Sequence, residues 1–238
     1  MTPLTTTTSY SVRSQQWREF WFYFSVNKTA VAGLVFLVGV VLMAILADVI
    51  SPHLPTEQYR EFAEIPPAWM EGGQMRFFLG TDYAGRDMLS RIIHGARLSL
   101  IAGCIVVLMS ASIGVLLGLV AGFRGGWVET IIMRIMDTIM AVPGLLMALV
   151  LVAVLGPGLL NAMVAIAITY TPSFVRLTRA STMTELNKDY VTASKVAGAG
   201  PMRLMFISIL PNCMAPLIVQ GTLSFSTAIL DTAALGFL

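Results

Sequence analysis

An all-α bundle that crosses a lipid bilayer several times is the fold class the sequence predicts, on three observations. The mean hydropathy of +0.79 lies far above that of soluble domains. Only 12% of the 238 residues are charged, too few to clothe a globular surface of ordinary composition. Apolar runs that can cover the roughly 20 residues of a transmembrane helix recur at about 30–50, 98–122, 127–155, 158–180 and 205–230, which makes five spans.

Taken in order, residues 1–28 form a polar, threonine-rich opening that closes on WREFWFYF, an aromatic cluster beside Arg18 and Glu19 suited to a helix at the lipid headgroups. The opening lacks the short apolar core of a cleaved secretory signal and is read as retained. The first span follows over 29–51, and 52–97 forms a polar loop with an amphipathic helix. Residues 98–238 hold the other four spans, with a polar break at about 181–204 between the last two. Pro143 and the Gly156, Pro157, Gly158 cluster punctuate the third span and its junction to the fourth.

Placing the N-terminus in the cytoplasm puts Arg13, Arg18, Lys28, Arg124, Arg134, Arg176, Arg179, Lys188, Lys195 and Arg203 on the inner side. Arg60, Arg76, Arg86, Arg91 and Arg97 then face outward. Every lysine and most arginines lie inside, as the positive-inside rule requires. The break at 190–212 is then cytoplasmic, and the odd span count puts the end of the chain on the outer side, as in a protein of five spans or a piece of a longer one.

Within the break, YVTASKVAGAGPMRLMFISILPN, Asp189 can cap a helix running to about Ala199, which Gly198, Gly200 and Pro201 stop. Ala193, Ser194, Ala197 and Gly198 give that helix a small face, so another protein's backbone could approach closely. An interfacial connector packed on neighbouring spans fits the same residues.

The break resembles the cytoplasmic signature of permease subunits of binding-protein-dependent ABC importers, E-A-A-x-x-x-G followed by I-x-L-P. Thr192, Ala193 and Ser194 stand at E-A-A, Gly198, Leu210 and Pro211 agree, and Ser208 stands where the isoleucine would be. The segment FFLGTDYAGRDMLSRIIHGARLSL is similar to the one before the second span in dipeptide, oligopeptide and nickel permeases of this class. So are PPAW, RIMDTIMAVPGLLMALVLVA, VRLTRA, DYVTASKVAGAG and ILDTAALGFL, which together resemble the Gram-negative dipeptide branch from about residue 17 onward.

That resemblance implies a non-enzymatic permease subunit of an ABC importer in the bacterial inner membrane, carrying dipeptides or short oligopeptides, with a sixth span expected beyond Leu238. Its implied partners are a second homologous permease subunit, two ATP-binding subunits and an extracytoplasmic substrate-binding protein. ATP and Mg would be bound by those ATPase partners, with no cofactor in this chain. The resemblance assigns ATPase coupling to Tyr190, Thr192, Ala193, Ser194, Gly198 and Gly200.

Other candidates stand on residue type. Arg134 and Asp137, three apart on one helical face, can pair with each other as a structural ion pair or serve a proton relay. Asp231 is either an interfacial cap or a contact for substrate or binding protein. Asp82, Arg86 and Asp87 suit a turn and helix start held by Asp and Arg pairs, or a gate. His53 and His94 are isolated in sequence, and Cys104 and Cys213 lie in apolar runs as buried thiols.

Several classes are disfavoured. GxSxG, HExxH, CxxC and GxxxxGK[ST] are all missing, so neither hydrolase chemistry nor nucleotide binding has a motif. The net charge of +2, without a basic patch interleaved with aromatics, gives no reason to expect nucleic acid. The remaining rivals are a nickel or other small-nutrient permease and an ion- or proton-coupled secondary transporter using Arg134, Asp137 and Asp231.

Overall fold

The computed structural model describes residues 12–236, with side chains from Trp17 onward. The start of the predicted N-terminal segment, and Phe237 and Leu238, lie outside the described residues. The chain divides into two units, Met1–Arg97 and Leu98–Leu238.

In the first unit, α1 (Val12–Val26) exposes Trp17, Phe20, Trp21, Phe22 and Tyr23. The Asn27 side chain then accepts from Ala30 N at 3.2 Å and starts α2 (Lys28–Ile45), which is apolar throughout and buries little beyond Ala44. A break at Leu46 separates it from α3 (Ala47–Ile50), so the first span is shorter than 29–51.

The loop that follows contains an isolated bridge, Thr81 to Asp87, and a 3₁₀ turn at Arg60–Phe62. Its core is aromatic. Phe77 is fully buried among Tyr59, Phe62 and His53, and the Arg76 guanidinium lies over the Tyr59 ring at 4.6 Å.

α4 (Met88–Arg124) begins ten residues before the apolar run expected at 98 and carries the second span. In the second unit its lower half packs on α7 (Leu159–Leu186) through Gly114, Gly118 and Gly122. A Cβ at these positions would sit 2.4 Å from the Phe174 Cβ, 2.5 Å from the Val175 carbonyl and 2.8 Å from the Thr182 Cβ. With no hydrophobic drive between helices in lipid, such small residues let backbones approach and dispersion hold them. Two of the hydroxyls buried at this contact bond their own helix, Thr178 to the Phe174 carbonyl at 2.7 Å and Thr171 to the Ala167 carbonyl at 2.8 Å.

The third span, expected as one run over 127–155, is broken. α5 (Gly126–Met140) and α6 (Gly144–Leu155) meet at 92° across Ala141–Pro143. Pro143 has no N–H to continue the ladder and pushes Val142 away from helical geometry. All the ionisable residues of the span, Glu129, Arg134 and Asp137, fall on α5, while α6 has none.

α7 leads through Asn187 and Lys188 into α8 (Asp189–Val196), and α9 (Pro201–Arg203), a π-helical stretch (Leu204–Ile209) and α10 (Leu210–Gly236) continue as one helix. Among the described residues four helices are thus long and apolar enough to cross a membrane, and the bent α5–α6 pair makes a fifth span when counted as one. The fold is the all-helical membrane bundle the sequence predicts.

Candidate functional site

α8 is an eight-residue helix whose two ends are built differently. Lys188, not Asp189, is the N-cap, in extended geometry and without a side-chain bond, and Asp189 occupies the first turn. There its carboxylate still complements the positive helix end, which is why an acidic residue suits either position.

The helix stops at Val196, sooner than the Ala199 expected. Gly198 N–H donates to the Lys195 carbonyl at 3.0 Å and Ala199 N–H to the Ser194 carbonyl at 3.0 Å, the paired bonds of a Schellman motif. The motif needs a left-handed residue, and Gly198 has φ +84°.

Val191 is the inward anchor of α8, fully buried with Leu204, Ile209, Cys213 and Leu119. Thr192, Ala193, Ala197, Gly198 and Gly200 are exposed, and Ser194 half-buried. The small face is therefore open. Tyr190 differs, because its hydroxyl turns into its own chain. It donates to Glu185 Oε2 at 2.5 Å and accepts from Asn212 Nδ2 at 3.2 Å, while Lys188 Nζ donates to Glu185 Oε1 at 2.6 Å. Burial, and then the Glu185 carboxylate beside it, push the Tyr190 phenol up to about 12.

Arg134 and Asp137 do not pair with each other. Asp137 Oδ1 accepts instead from Arg176 on α7 at 2.6 Å, and Glu129 Oε1 from Arg179 Nε at 2.6 Å. A crossing helix that offers an arginine a turn from another wins over an exposed same-helix pair worth only tenths of a kcal/mol (~0.3). Arg134 and Asp137 nonetheless share a groove of about 280 Å³ with Glu129, Thr130, Met133 and Arg179.

Asp231 accepts from the Tyr170 hydroxyl at 2.9 Å, joining α10 to α7. It lies far along α10 from α8, about 30 Å beyond Leu210 at 1.5 Å per residue.

In the loop, Asp82 accepts from Ala84 N and Arg86 N, both at 2.9 Å, from Arg86 Nε at 2.8 Å, and from the Arg91 guanidinium. Burial alone would raise its pKa, but the Arg86 N–H and guanidinium, then Ala84 N–H, hold the carboxyl below the usual range. Asp87 turns elsewhere, accepting from Ser90 N at 3.2 Å at the start of α4 and lying 3.2 Å from His53 Nδ1. His53 is thus not isolated, and His94 Nε2 lies 3.4 Å from Asp48. Cys213 is buried as expected, but Cys104 is exposed on α4. Among the described residues no cluster of three or more His, Cys, Asp or Glu could hold a metal.

The sequence reading passed over Glu185, Lys188, Asn212, Tyr170, Arg176 and Arg179. A glutamate closing an apolar run was the available signal for Glu185. Lys188 reaches Glu185 from three residues away, whereas Asn212, Tyr170, Arg176 and Arg179 owe their roles to partners 22 to 61 residues away in the chain, which no local pattern marks.

Taken together, these features define a multi-pass transport component: apolar spans, a broken helix with charges on one half, and a short exposed helix between two spans. Residues 114–238 match the family described as binding-protein-dependent transport system inner membrane component, and residues 15–67 match the N-terminal transmembrane domain of oligopeptide transport permease C. The chain is 59% identical to the di/tripeptide transport system permease protein of Pseudomonas aeruginosa, over 93% of this chain and 73% of that protein. It is 54% identical to the dipeptide transport system permease protein of Haemophilus influenzae, over 93% and 75%. Identity to the peptide transport system permease protein of Escherichia coli O6:H1 is 37%, again over 93% and 75%. The chain belongs to the family of inner-membrane permease components of binding-protein-dependent transport systems. It is a multi-pass inner-membrane protein.

Proposed function

We propose that this chain is one permease subunit of an ATP-driven importer for dipeptides or short oligopeptides. The observation that carries the reading is 54–59% identity over 93% of the chain to permeases named for dipeptide and di/tripeptide transport. In this reading it pairs with a second homologous permease subunit, is driven by two ATP-binding subunits that hold ATP and Mg, and is fed by an extracytoplasmic binding protein. The N-terminus and α8 are cytoplasmic, and the loop over 52–97 faces outward.

α8 is the coupling helix, supported by its open small face. Ala193, Ser194 and Thr192 meet the ATPase, Gly198 and Gly200 shape the exit of the helix, and Tyr190 holds it from the inside. Along the path, Arg134 and Asp137 in the α5 groove and Asp231 at the far end of α10 are the polar contacts for passing peptide. Asp82, Arg86 and Asp87 hold the outward loop on which a binding protein would sit. Closure of the ATPase pair moves α8 as a rigid body and swings the spans between inward-open and outward-open states.

The test is ATP hydrolysis by the assembled transporter with dialanine-loaded binding protein, wild type against Ala193→Arg. Arginine is a good helix former and Ala193 is exposed, so the variant should fold. Loss of most of the stimulation by the loaded binding protein is the expected result, and normal stimulation would overturn the reading.

A further inference from the structure

Glu185 is the penultimate residue of α7, and its side chain is only 10% exposed. A buried carboxylate there is poorly placed, since the C-terminal end of a helix carries partial negative charge. It is tolerated because Lys188 Nζ and Tyr190 Oη both donate to it, at 2.6 and 2.5 Å. Tyr190 passes the contact on, accepting at 3.2 Å from Asn212 Nδ2, which also donates to the Ser208 carbonyl at 2.7 Å. One carboxylate therefore ties the last turn of α7, the first turn of α8 and the first turn of α10.

A neutral joint would cost less. The carboxylate gives up most of its hydration while its cationic partner Lys188 stays 51% exposed, so stability alone does not call for a glutamate here. What the arrangement adds is direction. α8 is too short to hold its shape alone, and it is fixed on one side by Val191 in the apolar cluster and by this clamp, while its other side is open.

We infer that Glu185 is a positioning residue of the coupling machinery: through Tyr190 and Asn212 it makes any displacement of α8 a joint displacement of α7 and α10. The inference rests on the reading of α8 as the coupling helix. The give in the joint lies in the π-helical stretch Leu204–Ile209, between the free end of α8 and the clamped start of α10. Its wider hydrogen-bonded ring is the kind of irregularity found where helices adjust during function. Because α7 also carries Arg179, whose guanidinium holds the partly buried Glu129, the same movement reaches α5. Motion of one short helix is thereby distributed over three spans.

The experiment uses proteoliposomes holding the complete transporter with dialanine-loaded binding protein, in which dialanine uptake and ATP hydrolysis are measured together. The variants are Glu185→Gln, the nearly isosteric Tyr190→Phe, and the double variant. Uptake per ATP hydrolysed should fall about tenfold in each single variant, with the yield of assembled complex unchanged. The double variant should be no worse than the more severe single, because both changes open one clamp. Unchanged uptake per ATP overturns the inference. So does a loss of uptake and hydrolysis in strict proportion to lost complex, which is the behaviour of a purely structural joint. Ala193→Arg in the same vesicles separates the two levels. If it couples normally the coupling-helix reading itself falls, whereas if it uncouples while the clamp variants couple normally, only the clamp falls.

Discussion

Asp82 and Glu185 are both nearly buried carboxylates, 8% and 10% exposed, and each gathers cationic and neutral donors. The difference lies in reach. Every partner of the Asp82 carboxylate, Ala84, Arg86 and Arg91, lies within nine residues, so its bonds close a turn on itself. Glu185 takes its direct partners from the next five residues but reaches Asn212 through Tyr190, so its bonds join three helices. The first is a local fastener that gives a loop without regular strands its shape. The second is a joint between elements that move, and its value lies in geometry transmitted more than in stability held.

The contrast is broken most directly at Asp82. Asp82→Ala would leave two backbone N–H groups and two guanidinium groups without their acceptor, costing about 3 kcal/mol of local stability. Hydrogen exchange across 51–97 reads this as faster opening of the loop. Acid should do the same. Because the folded pKa of Asp82 lies below its unfolded 3.8, its contribution is complete above that value and is lost as pH falls through the folded one. Exchange in the loop should therefore accelerate below about pH 3.8, and the Asp82→Ala protein should lack that acid step.

At the joint, a change that strains α8 without touching the clamp should cost less. Gly198→Ala asks an L-residue to hold φ +84°, a penalty of about 1 kcal/mol. The last turn of α8 should fray, seen as faster exchange of the amides at 198 and 199, while those of Val191 and Thr192, which donate to the Lys188 carbonyl, remain protected. Loss of protection across the whole helix would show that the Schellman stop, and not the clamp, holds α8.

The stop at Gly198 was legible in the sequence because a Schellman motif is local: a glycine after a short helical run carries its own reason. Pro143 marks a weak point, but the apolar run over 127–155 reads as one span, and the 92° bend depends on what α5 packs against. The exchange of Arg134 for Arg176 as the partner of Asp137 was invisible for the same cause, a separation of 39 residues. Tyr190 shows the limit most clearly. The resemblance assigns it to coupling with a partner protein; that its hydroxyl also binds Glu185 and Asn212 is a fact of tertiary geometry that no local pattern marks.

The clamp should also be visible as a titration. The Tyr190 phenol, held protonated up to about 12 against an ordinary 10.0, contributes stability that is complete below pH 10 and is lost as pH rises through 12. Tyrosinate absorbance of wild type minus Tyr190→Phe should show one phenol titrating last. Glu185→Gln removes the adjacent charge and should bring that phenol down towards the ordinary value. A Tyr190 that titrates normally would leave the joint without its hydrogen bond.

The smallest effect belongs to Arg176 and Asp137, which are 45% and 48% exposed at 2.6 Å. An ion pair that open to solvent contributes about 0.5 kcal/mol, because water screens it and two long side chains must be held still. Arg176→Gln should therefore shift apparent thermal stability in detergent only slightly. High salt should erase even that difference, since screening acts most strongly on exposed charge. A loss as large as that expected for Asp82 would mean that the Arg176–Asp137 pair is shielded from water in the assembled membrane protein. It would then be a second joint like Glu185, tying α5 to α7 instead of merely decorating their crossing.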